Sequence, residues 1–407
     1  MKTMQRKQVP AMKLSLALAA ASLAFNAGAF EVAADGVYKD RVDWGVMMDM
    51  SGPVAASQVP YANGFQDHMR MINDAGGIHG RKVNVMVEDD RYDAARDRIN
   101  YEKLANQTPV IAISGIGNSG AQVALMPAIK AGKVPIVGTY TTTKAGLEPP
   151  NPMYYGGFCG FKEMAQVGVG FFADRLKVKA PKIATVHLDV ASGVEYFGYV
   201  TSAIAGYGGS AKSIPIKVTA ADANAQVLEI VNMKPDFVTI HGTITTSLLM
   251  MRAMQQYGLK IPTFAITYLG TPGVYAALTP ETGANYYFVS CFTPGGVDEP
   301  GTREMTAAAA KNNRGVLKDD INYVSGWVTA MLAADTLRKL GPEPTRAKLV
   351  ALLSRGYELD TKGLSAPIKY TPDSHLGLTL LRPYGYDYAA KTYKAFGTYN
   401  DYLKYLK

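Results

Sequence analysis

Hydrophobic positions along this chain switch repeatedly between a helical and an alternating period. Phe65, Met69 and Ile72 fall at helical spacing and mark one buried face. Gly76 and Gly77 stop that helix, since its carboxyl end often needs a positive φ that only Gly accepts cheaply. Val83, Val85 and Val87 then alternate as a short strand that delivers Glu88, Asp89 and Asp90 to its carboxyl end. The same rhythm predicts strands at 42–47, 83–87, 110–114 and 134–137, with helices from Tyr61 and at 94–105 and 119–131. A loop rich in Thr, Gly and Pro, 139–152, interrupts it. It resumes with strands at 182–187, 213–218, 237–240, 263–266 and 286–291, separated by helices at 162–176, 193–207, 224–233 and 245–257. Alternation of this kind predicts an α/β protein with two doubly wound parallel sheets. Later helices at 303–312, 322–340 and 345–354 come with too few strands for a third domain. The Tyr-rich stretch from Tyr384 to Tyr405 reads as half-buried packing on short strands.

A chain of 407 residues suits two domains of ordinary size. Its first residues read as an export signal: Lys2, Arg6, Lys7 and Lys13 precede an apolar run at 14–25 and an Ala27-Gly28-Ala29 cleavage site. Removal near Ala29 would take four basic residues from a formal charge of +8, leaving +4. The apolar run is shorter than the roughly 20 residues of a membrane span, so the expectation is a soluble periplasmic monomer with no stable membrane insertion. With no Cys near the cleavage site, nothing would carry a lipid anchor. Basic residues are scattered, which argues against nucleic acid as a partner. Of the two cysteines, Cys159 and Cys291, neither belongs to a Cys-x-x-Cys or Cys/His cluster, so no metal or other cofactor is expected.

Gly115-Ile116-Gly117-Asn118-Ser119-Gly120 spells a dinucleotide fingerprint, but it follows a third strand and lacks an acidic residue about 20 positions later. The alternative use of this loop is to present a helix amino terminus to a carboxylate or another acceptor. His187 and Asp189 end a strand without a Gly-x-Ser-x-Gly elbow, which gives hydrolysis little support. Glu88, Asp89 and Asp90 read as a solvated acidic turn or a dipole partner for the helix at 94–105.

Ser51-Gly52-Pro53, the helix ending Gly76-Gly77-Ile78-His79-Gly80 and the acidic strand exit together resemble the first lobe of periplasmic binding proteins of the leucine/isoleucine/valine-binding family. The element order extends the resemblance over nearly the whole chain after the leader. It implies a type I periplasmic binding fold, a Venus-flytrap of two lobes joined by three crossover segments near 153–160, 289–294 and 370–376. The implied first lobe is 30–155 plus 293–372, and the second is 156–292 plus 373–407. Cys159 and Cys291 would then sit on neighbouring crossovers as a close pair able to form a disulfide.

The resemblance implies a receptor, not an enzyme, that closes on a small-molecule ligand and docks on an inner-membrane ABC permease. It assigns Ser57, Asn118, Ser119, Thr139, Tyr140, Thr141 and Thr142 to the first-lobe wall of the cleft. Ser192, His241, Thr243 and Tyr268 form the opposing wall. Amino-acid receptors of the family carry an aromatic residue in the first second-lobe loop and, in the last, an acidic residue that pairs the ligand ammonium. Ser192 and Tyr268 stand there instead. An unpaired buried ammonium would cost several kcal/mol, which points to a carboxylate or amide lacking that group. A ligand-sensing module for a signalling partner and an exported α/β enzyme are the other classes that share these features.

Overall fold

A computed structural model describes residues 35–406, and the expected leader at 1–29 lies outside the described residues. Five parallel strands form the first sheet: β1 (Arg41–Met48), β2 (Lys82–Asp89), β3 (Ile113–Gly115), β4 (Ile136–Thr139) and β5 (Tyr154–Gly156), in the order β2-β1-β3-β4-β5. In the second sheet β6 (Lys182–Leu188), β7 (Ser210–Ile216), β8 (Phe237–His241), β9 (Thr263–Ala265) and β10 (Tyr286–Ser290) run parallel in the order β7-β6-β8-β9-β10. After them in the chain come the small antiparallel strands β11 (Tyr357–Leu359), β12 (Ile368–Thr371) and β13 (Ser374–Gly377), and then β14 (Arg382–Asp387) and β15 (Thr392–Ala395), which extend the second sheet antiparallel beyond β10. In both parallel sheets the order reverses beside the first strand, between β1 and β3 and between β6 and β8. Ligands of open α/β sheets bind outside the strand carboxyl ends at such a reversal.

All described residues belong to one compact unit. The long hydrophobic runs sort as the pattern predicts: Trp44 and Val46 of β1 and Phe65 and Met69 of the Ala55–Asp74 helix are buried. That helix starts before Tyr61, because the Ser51-Gly52-Pro53 loop folds around Asp49. The Asp49 carboxylate accepts hydrogen bonds from the Ser51, Gly52 and Val54 amides, and a Cβ on Gly52 would lie 2.8 Å from its oxygens. After β10 the chain returns to the first lobe, where the Ile321–Leu340 helix packs along the Ala55–Asp74 helix. Two glycines permit that approach. A Cβ on Gly326 would lie 1.9 Å from the Tyr61 carbonyl oxygen, and one on Gly64 would lie 2.1 Å from that of Tyr323.

The chain passes between the sheets three times, after β5, after β10 and between β13 and β14. The third passage, at 378–381, falls later than the expected 370–376. His375 explains the delay: its ring is stacked on Tyr155 at 4.4 Å and lies 2.9 Å from the Asn151 carbonyl, which keeps β13 against β5. Cys159 and Cys291, on the first two passages, are joined by a disulfide. Leu378, on the third, bridges Cys159, so the three segments lie side by side. The Tyr-rich carboxyl region packs as strands, with Tyr384 stacked on Phe288 at 5.1 Å and Tyr386 on Tyr275 at 4.8 Å.

Candidate functional site

A cavity of about 50 Å³ lies between the carboxyl ends of the two sheets. From the first lobe it is lined by Val54, Ser57 and Gln58 at the start of the Ala55–Asp74 helix, and by Tyr92, Gly117, Tyr140 and Thr141. Across from them stand Phe161, Leu188, Ser192, Ile266 and Tyr268, together with residues 241–244. The residues anticipated from sequence divide accordingly. Ser57, Tyr140, Thr141, Ser192, His241, Thr243 and Tyr268 come together around the cavity, whereas Asn118, Ser119, Thr139 and Thr142 do not line it.

Those four are withdrawn by hydrogen bonds that build the loops. Asn118 caps the Ser119–Lys130 helix, accepting from the Gly120 and Ala121 amides and donating to the Tyr92 carbonyl. Ser119 Oγ accepts from the Ser192 amide at 3.4 Å, a contact between lobes. Thr139 Oγ1 lies 2.8 Å from Gln122 Nε2 and 2.8 Å from the Thr141 carbonyl, and Thr142 donates to the Cys159 carbonyl at 2.9 Å. Gln122, buried among these loops, also donates to the Ile116 and Thr141 carbonyls and thereby fixes the Thr loop. Its helical position gave no sequence signal for this.

Gln58, Tyr92 and Phe161 were missed for traceable reasons. Gln58 accepts from the Asp49 amide at 2.6 Å and packs its amide nitrogen where a Cβ on Gly117 would sit, 2.0 Å away. Thus the second glycine of the fingerprint makes room for a side chain instead of a pyrophosphate. Tyr92 reaches the wall from a turn with φ of 52° at Arg91 and 59° at Tyr92, a conformation with no dependable signature in these residues. Phe161 opens the helix after the first passage and packs 5.1 Å from the His241 ring.

Tyr140 and Tyr268 meet here, but their phenols are committed to protein. Tyr268 donates to the Tyr140 carbonyl at 2.7 Å, and Tyr140 donates to Asn322 Oδ1 at 2.7 Å. Asn322 Nδ2 in turn donates to the Tyr268 carbonyl at 3.1 Å. Neither phenol is left to donate to a ligand; the bonds form a clasp between lobes, and the rings, 4.8 Å apart, leave aromatic surface for the cavity. Burial raises both phenols well above their ordinary pKa.

The amino termini of the Ala55–Asp74, Phe161–Leu176, Ala191–Ala205 and Ile244–Gln256 helices border the cavity, and no Asp, Glu, Lys or Arg is among the described lining residues. Thr243 caps the last of these helices, accepting from the Thr246 amide at 3.0 Å. The site is thus rich in neutral donors and in the positive ends of helix dipoles.

Of the two readings of the β2 exit, a solvated turn or a dipole partner for the following helix, the solvated turn fails at Asp90, which is buried. Asp89 accepts from the Met50 amide and the Ser51 hydroxyl, while Asp93 caps the Ala94–Glu102 helix. Asp90 and Asp97 are fully buried just behind Tyr92, whose amide donates to Asp90 at 2.7 Å. Burial first, then the neighbouring Asp90, drives the Asp97 carboxyl upward, so the pair retains a proton. In the unfolded chain Asp97 ionises above its ordinary pKa, so this pair's contribution to stability is present at low pH and declines as pH rises toward the raised folded value. Asp97→Asn, which keeps the shape without the charge, should therefore stabilise the protein at pH 8 by roughly 1–3 kcal/mol. Urea unfolding at pH 5 and pH 8 checks this, with a smaller gain at the lower pH.

Residues 42–384 match the sequence profile of periplasmic binding proteins. No curated protein sequence matches the chain. Among solved structures, it is similar to a fatty acid ABC transporter substrate-binding protein from Thermomonospora curvata, with a TM-score of 0.79 and 20% identity over 89% of this chain and 94% of that one. A branched chain amino acid ABC transporter protein from Thermus thermophilus with bound valine gives a TM-score of 0.79 at 17% identity, over 89% and 96%. A possible leucine/isoleucine/valine-binding protein from Rhodopirellula baltica gives 0.76 at 17%, over 92% and 100%. The profile match spans the parallel strands of both sheets and all three passages between them, and the chain belongs to the periplasmic binding protein family.

Proposed function

We propose that this protein captures a small organic carboxylate or amide lacking an α-ammonium group and hands it to an inner-membrane ABC permease. The observation that carries the reading is the composition of the cavity wall: four helix amino termini and neutral donors surround it, with no carboxylate among its described residues to pair an ammonium. Ser57, Thr141, Ser192 and Thr243 supply hydroxyls near those termini, and the aromatic rings supply apolar surface. A volume of about 50 Å³ favours a compact solute over a long acyl chain. Because such a solute touches both lobes, it binds the closed form better and so drives closure.

The moving units divide as 30–155 plus 293–372 and 156–292 plus 373–407, with the last boundary shifted to the passage after Gly377. The receptor works as a periplasmic monomer, released from its leader near Ala29, and turns nothing over.

Thermal unfolding tests the solute class. Protein unfolded and refolded with its disulfide intact, to strip endogenous solute, is screened against small carboxylates, their amides and the branched-chain amino acids. A ligand at a hundred times its dissociation constant adds about 2.7 kcal/mol, a rise of about 3 °C for a chain of this size. A rise with carboxylates or amides and none with leucine or valine is the expected result. A rise confined to the amino acids would sink the assignment of the solute.

A further inference from the structure

We propose that the solute binds as a carboxylate together with one proton, and that His241 holds that proton against it. The inference rests on the solute-binding reading above and deepens it.

His241 ends β8 at the cavity, where it is 3% exposed. Its Nδ1 is buried without a hydrogen-bond partner. Buried polar atoms are nearly always hydrogen-bonded, and the cavity is where a partner for this one would sit. The groups packed around the ring are few. His187 lies directly across on β6, with its own nitrogens 2.9 Å from the Leu188 carbonyl and 2.7 Å from Ser213 Oγ. Tyr196, 5.5 Å away, comes from the Ala191–Ala205 helix, and its hydroxyl is 2.6 Å from Thr239 Oγ1. Phe161 closes the third side. Burial, and then the neighbouring His187, hold the His241 ring down to about 3, so it is neutral at physiological pH.

A carboxylate entering this cavity brings one negative charge into a wall with no Lys or Arg among its described residues. Helix termini offset part of that charge. The remaining remedy is protonation, and the phenols of Tyr140 and Tyr268 cannot supply it because they already donate to protein. An adjacent anion favours the charged form of an imidazole and raises its pKa. Binding then takes a proton from solution onto the ring, giving an imidazolium–carboxylate pair with no net charge. An amide solute asks for no such proton.

Calorimetry with benzoate and isovalerate, each in two buffers of different ionisation heat, counts the protons. Uptake of about one proton per solute is expected, with affinity weakening about tenfold per unit rise in pH until the pKa of the complex is passed. His241→Asn retains a hydrogen-bonding side chain that cannot protonate. It should abolish the uptake and weaken both acids at least tenfold more than it weakens benzamide and isovaleramide. Should the variant not fold, the proton count of the unaltered protein decides alone. Carboxylate binding without uptake overturns the proposal, as does uptake that survives His241→Asn, which would put the proton on the solute. Acids and amides binding alike, with neither depending on pH, overturn it while leaving the solute-binding reading in place. Failure of both classes to bind overturns both.

Discussion

Gly326→Leu should leave little natively folded protein, and even Gly326→Ala should cost about 3 kcal/mol. A Cβ at this position would stand 1.9 Å from the Tyr61 carbonyl oxygen, which belongs to backbone held in the neighbouring helix and has no rotamer to yield. Relief requires moving the Ala55–Asp74 and Ile321–Leu340 helices apart, and with them the contacts of Trp327, whose ring lies 4.7 Å from that of His68. Overpacking of this kind usually costs 1–3 kcal/mol, and the reciprocal clash at Gly64 places this site at the upper end. Gly198 is the control: it lies in an exposed stretch of helix where a Cβ meets nothing within 4 Å. Gly198→Ala should stabilise by about 0.5–1 kcal/mol through helix propensity alone. Urea denaturation followed by circular dichroism gives both numbers, and a Gly326→Ala protein as stable as its parent would mean the helices do not cross so closely.

Removing the disulfide should be the other large loss. Cys159 and Cys291 are 132 positions apart in sequence, so the bond withholds much chain freedom from the unfolded state. Loop-closure entropy for a ring of that size corresponds to about 5 kcal/mol, which the double variant Cys159→Ala, Cys291→Ala should forfeit. Both sulfurs are wholly buried, so reductant added to the folded protein should do little until the chain opens. Denaturant titrations of oxidised, reduced and double-variant protein test this, and coincident midpoints for all three would refute it.

The fold was legible because its signal is redundant. Strands such as Phe237–His241 and helices such as Asn224–Met233 have period, flanking turns and position in the α/β alternation all pointing to one assignment. The strands β5, β11, β12 and β13 lacked that redundancy. They are three or four residues long, and their stability comes from partners far away in sequence, as when Tyr370 donates to the Gly156 carbonyl. The site was half legible. Residues just beyond strand carboxyl ends could be picked by position, which found His241, Thr243 and Tyr268. Position alone does not tell a side chain facing the cavity from one turned back to cap a helix or brace a loop, which is why Asn118, Thr139 and Thr142 were included. Asp90 and Asp97 show the same limit for charge, since nothing in an acidic run says which carboxylate is buried.

The clasp of Tyr140, Asn322 and Tyr268 carries a kinetic consequence. Tyr140 comes from the loop after β4, Tyr268 from the turn after β9, and Asn322 from the helix that returns after β10. Tyr268 must lose two hydrogen bonds together, the one it donates to the Tyr140 carbonyl and the one its carbonyl accepts from Asn322, before the mouth can widen, and each released group needs water in exchange. Solute arriving at a shut mouth waits for that event, so at high concentration the observed association rate would level off at the frequency of opening instead of climbing with concentration.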